Sequence, residues 1–145
     1  MDVPTLPHTP WTRVRTVINW LNLSTPIGLL IARLRGTPTR PVGRGVRVGT
    51  GYPWPFPVAT AFTVGSVVLT PRPEDWLARR PRLLQHEDRH VTQYAWLLGP
   101  FMLVLYGLCA GVSWVLAGDH SSYNPFERLA GLDDGGYPAP RSRWR

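Results

Sequence analysis

Apolar residues along the chain recur at helical spacing in some stretches and crowd into a β-branched run in another, with prolines and glycines marking the joints. From 11 to 32 the chain turns apolar, with Val14, Val17, Ile18, Trp20, Leu21, Ile27, Leu29, Leu30 and Ile31, and the break Asn22-Leu23-Ser24-Thr25-Pro26 predicts two helical pieces. Ser24 or Thr25 would cap the second piece, and Pro26 would sit in its first turn, where a missing N–H does no harm. Residues 33–52 are rich in glycine and arginine and read as a loop holding a short strand over 46–48. Trp54-Pro55-Phe56-Pro57 reads as a stiff extended connector. Residues 59–70 mix Phe62, Val64, Val67, Val68 and Leu69, as a strand does, with Gly65 marking a bulge or a close backbone approach.

Pro71 and Pro73 end that strand and Pro81 opens a helix, in which Leu83, Leu84, Glu87, His90, Val91, Tyr94 and Leu98 keep helical periodicity. Gly99-Pro100 ends or kinks it, and residues 101–117 form a second, apolar helix. A polar turn over 119–123 leads to Asn124-Pro125-Phe126-Glu127, which has the form of a helix start, and a short helix runs to about Leu132. The expected class is α+β. Residues 1–57 form an arm, an apolar helical segment and a Gly/Arg-rich loop packed on a core; residues 58–132 are that core; residues 133–145 are a disordered basic tail.

Composition narrows this picture without assigning it chemistry. A chain of 145 residues suits one compact domain, and its 16 prolines and 14 glycines demand many turns. The formal charge of +7 comes from arginine alone, since the chain has no lysine. Those arginines are dispersed, with no nucleic-acid-binding module around them, which argues against a nucleic-acid partner. Cys109 lies within an apolar run and excludes an internal disulfide framework. The prolines and the acidic Asp2 near the start do not fit a cleavable signal peptide.

The chemistry concentrates in His86-Glu87-Asp88-Arg89-His90. Two histidines four positions apart stand on one helical face, one turn above the other, where both rings reach a single ion. Glu87 beside them can take a proton from water that the ion activates. With four histidines and three glutamates in the chain, the pattern arises by accident with a probability of about two per thousand. The alternative is a solvated charged face, with Glu87 and Arg89 exposed and the histidines half-buried.

A catalytic zinc needs a third protein ligand and an open position. Glu127 suits it, 37 positions after His90, provided that the chain reverses at Gly99-Pro100. The rival reading has Glu127 closing a capping box on the Asn124 N–H. Asp119 and His120 are the other candidate ligands, and Tyr94, Tyr106 and Tyr123 are candidate oxyanion stabilisers.

Taken with Glu127 in Asn124-Pro125-Phe126-Glu127-Arg128-Leu129-Ala130, the pentad resembles the gluzincin branch of the zincin metallopeptidases, especially its compact minigluzincin-like members. The run from His90-Val91-Thr92-Gln93-Tyr94 through Gly99-Pro100 to Tyr106 also looks like small bacterial proteins that carry this motif. The resemblance covers residues 59–131 and implies a reduced zincin core: a short sheet or edge strand, a site helix, an apolar backing helix and a short glutamate helix. It further implies zinc held by His86, His90 and Glu127, Glu87 as the base, and peptide or protein substrates. Residues 1–57 have no counterpart in that core and form an N-terminal helical extension.

A membrane is the other candidate partner. Residues 91–118 carry no formal charge for 28 positions, enough to span a bilayer as one helix. Unbroken, that helix would rise about 42 Å and part Glu127 from the histidines. The glycines and Pro100 favour a reversal, and the arginine-flanked segment 11–32 suits peripheral attachment at a membrane face. The localisation expected is cytoplasmic or membrane-associated. The functional expectation is a zinc metallopeptidase; its alternative is a non-catalytic membrane-associated or partner-binding protein with a structural or vestigial metal site.

Overall fold

Six helices and a four-stranded sheet make up the described residues of the computed structural model, which are 5–55 and 59–140. The expected class, α+β, holds. Helices α1 (Pro10–Leu21) and α2 (Ser24–Leu34) precede strands β1 (Thr39–Gly43), β2 (Val46–Thr50), β3 (Phe62–Val64) and β4 (Val67–Thr70). Then follow α3 (Glu74–Ala78), α4 (Pro81–Trp96), α5 (Pro100–Ala117) and α6 (Pro125–Ala130).

The sheet order is β1-β2-β4-β3, with β2 and β4 parallel and both outer pairs antiparallel. It joins chain from both sides of residues 56–58, which lie outside the described residues together with part of the Pro-rich connector. Alternation along the strands sends Val46, Val48 and Val68 to one face, where they meet Leu83, Leu84 and Val91 of α4. Val67 and Leu69 point to the other face and pack with Ala32 of α2 and Tyr52. The central strand β4 is therefore buried on both sides, as a continuous apolar run requires.

Several expectations need correction. The loop over 33–52 is a hairpin: Gly43, Arg44 and Gly45 all take positive φ and turn β1 into β2. The single strand over 59–70 is likewise a tight hairpin, because Gly65 (φ 63°) turns the chain rather than bulging it. Gly65 also makes the close approach expected of it, since a Cβ there would lie 2.3 Å from the Ser24 carbonyl carbon. Neither Ser24 nor Thr25 caps α2; Leu23 precedes it in the left-handed region, and Asn22 Oδ1 accepts the Ser24 N–H instead. The opening arm is tied down at Leu6, whose N–H donates to the Val42 carbonyl. Residues 133–140, expected to begin a disordered tail, turn back so that Tyr137 packs on His86; residues 141–145 lie outside the described residues.

No unbroken helix runs through 91–118. The chain leaves α4 at Trp96 and restarts at Pro100, with Leu98 and Gly99 at positive φ. Helix α1 meets α4 through polar groups. Arg15, buried, donates to the Asp88 carboxylate, to the Asp88 carbonyl at 3.0 Å and to Thr92 Oγ1 at 2.7 Å. Asn19 and Asn22 donate to the carbonyls of Val91 and Tyr94.

Candidate metal centre

Helix α4 carries the pentad on a surface that is covered on almost every side. His86, Glu87, Asp88 and His90 are all buried, which overturns the reading of a solvated charged face. One helical turn separates the two imidazoles, and their Nε2 atoms lie 3.1 Å apart. Glu127 arrives from α6, its Oε2 3.0 Å from His86 Nε2 and 3.5 Å from His90 Nε2. Two ligands of a tetrahedral zinc at bond lengths near 2 Å stand about 3.3 Å apart, so the three donors already have the spacing that one ion imposes.

The protons are arranged for a cation as well. His86 Nδ1 lies 2.9 Å from the Gly131 carbonyl, which can only accept, so that nitrogen carries the ring proton. His90 Nδ1 lies 2.8 Å from Gln93 Oε1, while the Gln93 amide donates to the Phe126 carbonyl at 3.0 Å. Both Nε2 atoms of the neutral rings then present lone pairs to each other and to Glu127 Oε2, a buried atom that receives no hydrogen bond. Three converging lone pairs repel unless a proton or a cation sits between them. Burial depresses His90's proton affinity, yet Glu127 and Glu87 beside it raise its pKa above the ordinary value. Burial likewise pushes Glu127 up, but when the histidines are protonated instead of facing a cation, their hydrogen bonds, the His90 charge and the Tyr106 hydroxyl hold it well below the carboxylate range.

Helix α6 is held against α4 by contacts along one stripe. His86 reaches Gly131, Arg89 donates to the Ala130 carbonyl and to Asp134, and Gln93 reaches Phe126. Asn124 caps α6 through Phe126 N–H, as its sequence form predicts. The capping box does not close: the Asn124 N–H donates to Ser121, and Glu127 turns inward, where Tyr106 of α5 donates to its Oε1. That bond leaves Oε2 as the free ligand atom.

Neither rival ligand joins the group. Asp119 accepts from the backbone and side chains of Ser121 and Ser122 and shapes the turn before α6. His120 lines the cavity but packs edge-on against Tyr137. Among the described residues, His86, His90 and Glu127 are the group able to hold a metal ion.

Glu87 faces the same cavity, of about 540 Å³, as His90 and Glu127. Its Oε2 accepts from Thr63 Oγ1 at 2.6 Å, and the Tyr94 hydroxyl donates to the Thr63 carbonyl, so β3 fixes the carboxylate from the side away from α4. Burial raises the Glu87 pKa above its ordinary value, against the lowering influence of the histidines and Thr63. The remaining walls are largely apolar and include Phe62, Val64, Met102 and Trp114.

Of the three candidate tyrosines, Tyr106 reaches the site, Tyr94 supports it from behind through Thr63, and Tyr123 stands half-exposed with its N–H on Ser113. Sequence reasoning missed Thr63, Gln93 and Tyr137. For Gln93 a signal existed: a polar side chain three positions after His90, on the buried side of an apolar run, needs a buried partner. No protein-family model matches the chain, and no curated protein or solved structure matches it.

Proposed function

We propose that the chain is a zinc-dependent metallopeptidase built on a reduced zincin-type core. The observation that carries this reading is the convergence of His86 Nε2, His90 Nε2 and the unpartnered Glu127 Oε2, with Glu87 on the wall of the same cavity. Two imidazoles and one carboxylate form a donor set suited to zinc, and three protein ligands leave a coordination position open. Bound there, zinc supplies Lewis acidity, which polarises a peptide carbonyl and makes water a nucleophile near neutral pH.

The chain's own groups support the remaining steps. Glu87 accepts the proton of the attacking water as the new C–O bond forms, then passes it to the nitrogen as the C–N bond breaks. Its raised pKa suits a group that must both take and return a proton. Strand β3 lies at one end of the sheet order, and residues 61–64 border the cavity, so an extended peptide can add along that edge through backbone hydrogen bonds.

Glu87→Gln tests this function. The variant retains its zinc and its melting temperature but loses hydrolysis of an unfolded protein substrate by on the order of 10² to 10⁴-fold. Undiminished hydrolysis by the variant refutes the assigned role of Glu87. Hydrolysis absent from zinc-loaded wild type as well favours the non-catalytic reading.

A further inference from the structure

The molecule's water-facing surface is inverted at two helices. Helix α1 buries Thr12, Arg15 and Asn19, and exposes Trp11, Val14, Val17, Trp20 and Leu21. Helix α5 buries only Met102 and Ser113 and exposes Phe101, Val104, Leu108, Val112 and Val115, each by more than half. A soluble core helix and an N-terminal signal can both be long and apolar. Helix α5 is neither, being 11% buried and beginning at residue 100.

The end of α1 lies against the start of α5, and α1 also touches the end of α4. Trp11 packs on Trp96 with centroids 5.6 Å apart, and Asn22, after α1, closes on Gly99, before α5. Exposed Trp96, Leu98 and Phe101 fill the corner between them. Isolated exposed apolar residues are ordinary, but two helices that each turn most of their apolar side chains outward mark a surface with a non-aqueous neighbour.

We propose that α1, α5 and the corner between them form a face that lies in the headgroup–acyl boundary of an anionic lipid bilayer. Charge selects this occupant. No acidic residue occurs from 3 to 73 or from 89 to 118, so none lies on α1, α2 or α5, while Arg13, Arg33 and Arg35 are exposed on or just after α1 and α2. Anionic headgroups complement those arginines, and no acidic side chain on these helices opposes them. The helices lie along the surface. Met102 is buried, Tyr106 donates to Glu127, and Ser113 accepts from the Tyr123 N–H, so α5 is pinned to the body over about 16 Å and cannot leave it to span. Docking also brings the metal cavity beside the lipid, because Leu103, Gly107 and Trp114 of α5 line it.

The face stands whether or not the centre hydrolyses peptides, and its test avoids the site. Val104→Gln, Leu108→Gln, Val112→Gln and Val115→Gln, combined, change one exposed stripe of α5 that does not line the cavity and leave the net charge as it was. The full wild-type chain floats with vesicles of phosphatidylcholine and phosphatidylglycerol. The fourfold variant binds at least about a hundredfold more weakly, with unchanged zinc content and circular dichroism. Flotation of the variant equal to wild type overturns the proposal. So does wild type that remains free of vesicles, including one that forms a dimer through this stripe. Should the variant fail to fold, brominated acyl chains decide on wild type: quenching of tryptophan fluorescence supports the face, and its absence overturns it.

Discussion

Each metal-facing atom owes its state to a neighbour that spends the competing valence. Gly131 and Gln93 take the Nδ1 protons of His86 and His90, and Tyr106 occupies one oxygen of Glu127, leaving the other free. Such outer partners tune affinity as well as orientation. Gln93→Ala removes the partner of His90 and one tie to α6 together, and should weaken zinc binding about 10 to 100-fold while the chain stays folded. Competition against a chromophoric chelator measures this; an unchanged affinity contradicts the role given to Gln93. The pentad and Glu127 were legible because their chemistry is tied to local spacing. Thr63 was not, since a threonine in a strand signals only β propensity until the strand is placed against α4.

Among the elements, the turn between α5 and α6 decides whether Glu127 reaches the histidines. Asp119 organises it by accepting from the N–H and hydroxyl groups of Ser121 and Ser122. Burial raises its pKa, but those hydrogen bonds outweigh burial and leave it below the ordinary value of 3.8. A folded-state pKa below the unfolded one means that the unfolded chain binds more protons through that range. The stabilisation is therefore complete above the unfolded value and is lost as pH falls through the folded one. Asp119→Asn should lower the melting temperature at pH 7, with the gap to wild type closing as the pH is taken below about 3.8. A gap that persists undiminished in acid contradicts this assignment. The helices around the site were readable from Pro81, Gly99-Pro100 and Asn124-Pro125, each of which fixes a boundary sterically. Both hairpins escaped: Gly65 is equally consistent with a bulge, and Gly43-Arg44-Gly45 lies in a segment whose arginines obscure strand alternation.

Over the whole molecule, burial and charge are distributed unlike the usual water-soluble plan. A small sheet packed between α2 and α4 supplies the apolar core, while α1 docks through arginine and asparagine and turns its apolar side outward. Segment 11–32 and α5 read as apolar from sequence alone, but apolar periodicity cannot tell a face that meets the core from one that meets lipid. The placement of Arg15 and Asn19 under α1 shows that its apolar side faces away from the core. The residues before 58 thus do more than extend the core, since they provide half of the sheet and one of the two inverted helices.

Zinc bound per chain tests the central claim most directly, measured after equilibration at a common free-metal concentration for wild type, His86→Ala and Glu127→Ala, each checked for folding by circular dichroism. One ion per wild-type chain and its loss in both variants is the predicted result, since residues 41 positions apart must share it. Folded wild type without stoichiometric zinc, or a Glu127→Ala protein that binds it as tightly, contradicts the account.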